Sequence, residues 1–326
     1  MAIFSVASLI LFFFFLAVFL LITVPLTGAL VRLRANYNPK SLQLDPEDGV
    51  QPHTGPVITS FFVMLSRVRT LEGWAGLMKG TMPTLLSNAV LAIFSSMFLD
   101  MSLSNPRNHG VYNAPTTKMW GTLLYSIFLM LVSLPAIIIT YRSVITPCRL
   151  PYFRPFYSLR VLLTPTERRK PWILYLTPGL LTAELLHISC VVIGLRALRH
   201  ILLPSLFQID DQQPKDLSPR SLIIYLAISL LSTIILCPLE VISTRLAVQR
   251  NHESAEFNSV VQEEVGDSED VQEYSPDEDV IGLRNDMDPY LGLADCAKRI
   301  IDEEGWRALY RGWWLTMLFG VFGAFA

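Results

Sequence analysis

The chain has little of what a soluble enzyme of its length displays. Charged residues make up only 17% of its 326 residues against 52% hydrophobic, with a mean hydropathy of +0.42, which excludes an ordinary water-soluble globule. Its four cysteines, Cys148, Cys190, Cys237 and Cys296, show no CxxC or metal-ligand spacing, so free thiols are expected and no metal site. There is no Walker loop, no dinucleotide glycine pattern, no HExxH and no nucleophile elbow; neither enzyme chemistry nor a cofactor is expected. Nothing interleaves basic and aromatic residues as a nucleic-acid surface does. No basic, serine-rich stretch precedes the first apolar run and no small-residue cleavage site follows it, so that run reads as an uncleaved helix.

What the chain does have is long apolar runs. A bilayer-spanning helix needs ~20 mostly apolar residues, and six segments qualify, at about 3–26, 83–103, 119–141, 178–203, 221–242 and 309–326. This predicts an all-α membrane protein. The net charge of −2 hides a segregation, because residues 253–288 hold thirteen acids and one base, Arg284. That stretch lacks the apolar spacing needed to pack and reads as a disordered insert, with solvated spacer, docking site for a basic partner and cation buffer all open. Of the 26 lysines and arginines, 20 lie in the three odd-numbered loops or at their edges, which places those loops on one side of the bilayer.

Three spanning segments end alike. Pro25 to Arg32, Pro135 to Arg142 and Pro238 to Arg245 all read Pro-x6-Arg, the prolines lying 110 and 103 residues apart. A second element, Glu-Gly-Trp-x-x-Leu-x-[Lys/Arg]-Gly, occurs as Glu72, Gly73, Trp74, Lys79, Gly80 and again as Glu304, Gly305, Trp306, Arg311, Gly312. Its middle copy, Trp172 to Pro178, is worn and lacks the glycine. In the third corner, Pro238-x-Glu240-x-x-Ser243-x-Arg245 resembles the signature of the mitochondrial carrier family, Pro-x-[Asp/Glu]-x-x-[Lys/Arg]-x-[Lys/Arg], with Ser243 standing where a base is usual.

The resemblance implies six transmembrane helices in three pseudo-repeated pairs, with short surface helices in the odd loops. The expected repeats are 1–104, 105–204 and 205–326, the last containing the acidic insert. It also implies a mitochondrial inner-membrane location, with the basic loops on the matrix side and both termini facing the intermembrane space. Bases at the membrane surface would meet phospholipid head groups, cardiolipin by the same resemblance, or serve topology alone. A monomer moving a small-molecule substrate by alternating access is the expected function.

The gate departs from the family's pattern. The acid appears only as Glu240, with Thr27 and Ile137 at the matching places, and the base three residues later is replaced by Leu30, Thr140 and Ser243. A ring of three ion pairs is therefore impossible, and Glu240 is expected to be satisfied by Arg32, Arg142 or hydroxyls. Carried over by position, the family's substrate contacts fall on Ser87, Asn88, Phe319 and Gly320, and, counting from Pro178, on Thr182 and Ala183. None is charged, which disfavours a strongly anionic cargo. Glu184 and His187 share a face of the fourth segment. They read either as a mutually satisfied buried pair or as a proton-coupled or cation-recognising site. Sparse polar stripes, Thr122, Ser126, Ser133 and Tyr225, Ser229, Ser232, Thr233, suit a cavity wall or interhelical bonding equally. A second reading stays open: a carrier-derived scaffold of the outer membrane, similar to divergent members involved in mitochondrial shape and fusion, which the lost gates and short last segment favour.

Overall fold

The computed structural model describes residues 2–39, 43–45, 49–51, 58–103, 119–152, 154–202, 219–251, 280–284 and 288–325. The acidic insert falls almost wholly outside that set. Among the described residues the chain is helical apart from one antiparallel ladder, β1 (Gln43–Asp45) with β2 (Gly49–Gln51), in which Leu44 faces Val50. The long helices are α1 (Ala2–Ala35), α4 (Thr81–Leu103), α5 (Met119–Ile145) and α10 (Pro219–Val248). Shorter ones lie between them: α2 (Phe61–Leu71), α3 (Gly73–Leu77), α6 (Pro155–Leu162) and α7 (Pro165–Arg169). The fourth segment is composite, with α8 (Leu180–Ser189), a π turn over Cys190–Arg196 and α9 (Ala197–Leu202). The chain continues through α11 (Leu293–Glu303) and α12 (Trp313–Phe325).

Pro25, Pro135 and Pro238 lie inside α1, α5 and α10, which run past the expected ends to Ala35, Ile145 and Val248. A proline removes one hydrogen bond to the preceding turn, yet residues beyond it keep theirs. Among the described residues, five helical stretches are long and apolar enough to cross a membrane. The sixth expected segment differs. A 3-10 turn over Trp306–Tyr310 is followed by the 13 residues of α12, about 20 Å of helix against a hydrocarbon layer of ~30 Å. The described part of that segment is too short to span.

Two compact units partition the chain. The first comprises residues 1–86, 136–174 and 247–289. Leu33 of α1, Met64 and Val68 of α2, Ile138 and Val144 of α5 and Leu162 of α6 are buried there. The residue shortly before the acidic insert and a point near its end are tied down in this unit: Asn251 on Glu167 at 3.1 Å, and Gly282, whose N–H donates to Asn36 Oδ1 at 3.0 Å and whose carbonyl accepts from Tyr37 N at 2.8 Å. The second unit comprises 87–135, 175–246 and 290–326. Its buried side chains include Leu134 of α5, Leu180 and Ala183 of α8, Val241 and Leu246 of α10 and Cys296 and Ile300 of α11. Large apolar side chains remain exposed on the long helices, among them Phe14, Phe15 and Phe19 of α1 and Leu231, Ile234 and Ile235 of α10, as expected of surface that faces lipid.

Each even-numbered segment starts from a left-handed glycine. Gly80 (φ +84°) precedes α4, Gly179 (φ +81°) precedes α8 and Gly312 (φ +75°) precedes α12. The middle copy of the repeated element therefore does have its glycine, and the expectation that it is lost is corrected. A Cβ on Gly179 would lie 2.2 Å from Leu293 N and 2.7 Å from Gly292 C, backbone atoms that open α11. Only glycine fits there. Gly179→Ala is expected to lower the thermal unfolding midpoint of the purified protein, the left-handed backbone alone costing about 1–3 kcal/mol; an unchanged midpoint would contradict this packing.

Candidate functional site

The arginine that ends each proline-bearing helix is buried, and each meets a glutamate. In the first unit Arg32 Nη2 lies 2.5 Å from Glu72 Oε2, and its guanidinium also donates to the carbonyl of Gly76. The other oxygen of Glu72 accepts from Lys79 Nζ at 2.5 Å, and Lys79 donates as well to Thr146 O at 2.7 Å. In the same unit Arg142 grips Glu167 with both terminal nitrogens, at 2.6 and 2.8 Å. In the second unit Arg245 pairs bidentately with Glu304, whose Oε2 also lies 2.8 Å from Arg311 Nη2. The repeated acid of the Glu-Gly-Trp element is thus the structural partner of the Pro-x6-Arg arginine, and the repeated base shares that carboxylate. Burying such charges is costly unless they are paired and hydrogen-bonded, as these are.

Glu167 is not among the residues expected from the sequence, because it belongs to no Glu-Gly-Trp copy. A different signal marks it. Thr164-x-x-Glu167 is a capping box: Glu167 N donates to Thr164 Oγ1 and Thr164 N to Glu167 Oε2. Where Glu72 and Glu304 have a second base, Glu167 accepts from the backbone and side-chain amides of Asn251, both at 3.1 Å.

The cavity of interest lies in the second unit and measures about 490 Å³. His187 of α8, Arg199 of α9, Tyr225 and Glu240 of α10 and Thr316 and Phe319 of α12 line it. Thr122 and Ser126 complete one wall from α5. Glu240 holds two of these groups, His187 Nε2 at 3.4 Å from Oε1 and the Thr316 hydroxyl, which donates to Oε2 at 2.6 Å. Of the three expectations for Glu240, the structure shows a hydroxyl, and it adds an imidazole that lies outside them. Arg32 and Arg142 are held by Glu72 and Glu167 instead.

The charges of Glu184 and His187 do interact, and His187 meets Glu240 as well. His187 Nε2 lies 3.4 Å from Glu240 Oε1, while Ser243, the residue standing where the family has a base, donates its hydroxyl to the carbonyl of Glu240 at 3.2 Å. Counting from Gly179, as from Gly80 and Gly312, moves the middle contact from Thr182 and Ala183 to Leu186 and His187. Thr182 donates its hydroxyl to Gly179 O in the first turn of α8, and Ala183 is fully buried. Neither these two nor Ser87 and Asn88 line the cavity, whereas Phe319 and Gly320 do. The polar stripes divide likewise. Thr122, Ser126 and Tyr225 face the cavity, while Ser133 and Ser232 bond to carbonyls of their own helices.

Burial alone would push the Glu167 carboxyl up; the hydrogen bonds and charge of Arg142, with the amides of Thr164 and Asn251, overcome this and hold it below its ordinary value. A depressed folded pKa stabilises fully above the unfolded value near ~4.3 and is lost as pH falls through the folded one. Glu167→Gln should therefore cost roughly 3–5 kcal/mol at pH 7. The difference in thermal midpoint from the unsubstituted protein should shrink steadily once the pH drops below about 4. A pH-independent difference would remove the carboxylate's charge from the account.

None of the curated proteins matches the chain. Residues 218–326, which carry α10, Glu240, the Arg245–Glu304–Arg311 cluster and α12, match the family model described as mitochondrial carrier protein. The match covers the last third of the chain and the corner from Pro238 to Arg245.

Proposed function

We propose that the protein carries a small, not strongly anionic metabolite across the mitochondrial inner membrane by alternating access, with the His187–Glu240 cavity as its cargo site. The family match over residues 218–326 and the apolar helices support a carrier-type membrane protein. The observation that carries the finer reading is the charge balance of the cavity, where Arg199 is set against Glu240. A cargo with two or more negative charges would bring them against that carboxylate with one guanidinium to offset the cost. A scaffold that moved nothing would have no use for a carboxylate, an imidazole and an arginine around 490 Å³ of space.

The same reading takes the chain as three carrier repeats, 1–104, 105–204 and 205–326. Each repeat contributes one buried Arg–Glu pair and a left-handed glycine ahead of its second helix. It also gives the 380 Å³ apolar cavity of the first unit a role. That cavity lies between the Lys79–Gly80 turn and α6, and Met82, Pro83, Leu86, Ile139 and Leu159 line it. Its surface suits the acyl chains of a phospholipid such as cardiolipin.

Two measurements test the proposal. In liposomes, uptake from a panel of small metabolites should fall about tenfold or more in Glu240→Gln and His187→Ala and be unchanged in Thr182→Ala; a panel without uptake would favour the outer-membrane scaffold. In intact mitoplasts the acidic insert should resist added protease, because this reading turns it to the matrix. Cleavage before the inner membrane is opened would reverse that orientation.

A further inference from the structure

The helix that carries His187 changes its winding. α8 gives way to a π turn over Cys190–Arg196 before α9 resumes. A π turn closes i→i+5 hydrogen bonds and so takes up one residue more than an α turn. His187 and Arg199 are twelve positions apart; in an unbroken α-helix of 3.6 residues per turn that leaves them ~120° apart around the axis. Absorbing one residue reduces the offset to ~20°. The lining reflects this, since His187, Val191, Leu195 and Arg199, every fourth residue, all face the one cavity. The π turn is what brings an arginine onto the histidine's wall.

The cavity consequently has two poles. At one, Glu240 is held by His187 and Thr316. At the other stand Arg199 and Tyr225, where Leu198 and Leu202 of α9 pack against Tyr225. Between them the wall is apolar, made by Val191, Val192, Leu195 and Leu236. Eleven α-helical rises separate the backbones of His187 and Arg199 by about 16 Å, and the arginine side chain leans back toward the helix N-terminus. His187 leans the same way, so its imidazole, held against Glu240, and the guanidinium are separated by about 10–15 Å. An α-amino acid, with its charges on neighbouring carbons, is too short to touch both poles.

We propose that this cavity takes an elongated zwitterion, a protonated amine joined to a carboxylate by an apolar chain. The amine meets Glu240 and the carboxylate meets the guanidinium of Arg199, whose planar fork matches a carboxylate. The inference rests on the cavity being the cargo site, and its test reads binding separately from transport.

The full-length protein in detergent is titrated by calorimetry with glycine, 4-aminobutyrate, 6-aminohexanoate and 8-aminooctanoate, and with hexanoate and hexylammonium, which each lack one charge. Expected is tightest binding by the longer ω-amino acids, with 6-aminohexanoate at least tenfold tighter than glycine, hexanoate or hexylammonium. Arg199→Gln should erase the preference over hexylammonium and leave that over hexanoate; Glu240→Gln should do the reverse. Equal binding of 6-aminohexanoate and either singly charged analogue overturns the proposal, and so does glycine binding best or no probe binding. Because that series needs only the unsubstituted protein, a variant that fails to fold leaves the test intact. Charge-dependent binding without uptake into liposomes would uphold the zwitterion and remove transport. Uptake of other solutes, with no ω-amino acid binding or competing, would uphold transport and remove the zwitterion.

Discussion

The structure depends on what becomes of an arginine at the end of a helix that contains a proline. Arg32, Arg142 and Arg245 are each almost fully buried, and a guanidinium stays charged at any pH the protein meets. The chain must therefore bring a carboxylate to each. It does so from the short helices that follow: Glu72 closes α2, Glu167 lies in the capping box of α7 and Glu304 closes α11. Each pair ties the end of a long apolar helix to the segment that leads into the next one. The left-handed glycines at 80, 179 and 312 then turn the chain into that next helix.

This dependence explains which parts are legible in the sequence. Pro-x6-Arg and Glu-Gly-Trp can be read because the pairing demands particular side chains at particular intervals. Glu167 escapes because its repeat solves the same problem differently. It lies twelve residues before its glycine where Glu72 and Glu304 lie eight, and Asn251 stands in for the second base. The family's spacing, counted from Pro178, accordingly lands one turn early, on Thr182 in place of Leu186 and His187.

Two further features are invisible for a physical reason. An apolar run has the same hydropathy whether its hydrogen bonds close in α or π register, so nothing in residues 190–196 announces that Arg199 turns onto the face of His187. A run of apolar residues also says nothing about a 3-10 turn at its start. That is why the last segment, expected from residue 309, becomes a helix only at Trp313. Composition reports what can be buried. It does not report the winding that decides where a side chain points.

The charges of the second unit fall into two kinds, and the difference bears on function. Arg245 and Glu304 are bidentate, buried and joined by Arg311; separating them strands charges away from water, so they behave as fixed structure. Glu240 is held by a hydroxyl and by an imidazole at 3.4 Å, and its side chain is 23% exposed beside a cavity. A hydroxyl returned to other partners costs far less than a stranded guanidinium, so the proposed amine could take its place at Glu240 without unmaking the fold. Replacing the family's base with Ser243 has the same consequence, because a lysine there would add a positive charge among Glu184, His187 and Glu240. The strong ion pairs stand at the joints between helices, and the acid at the cavity is held by a hydroxyl and an imidazole.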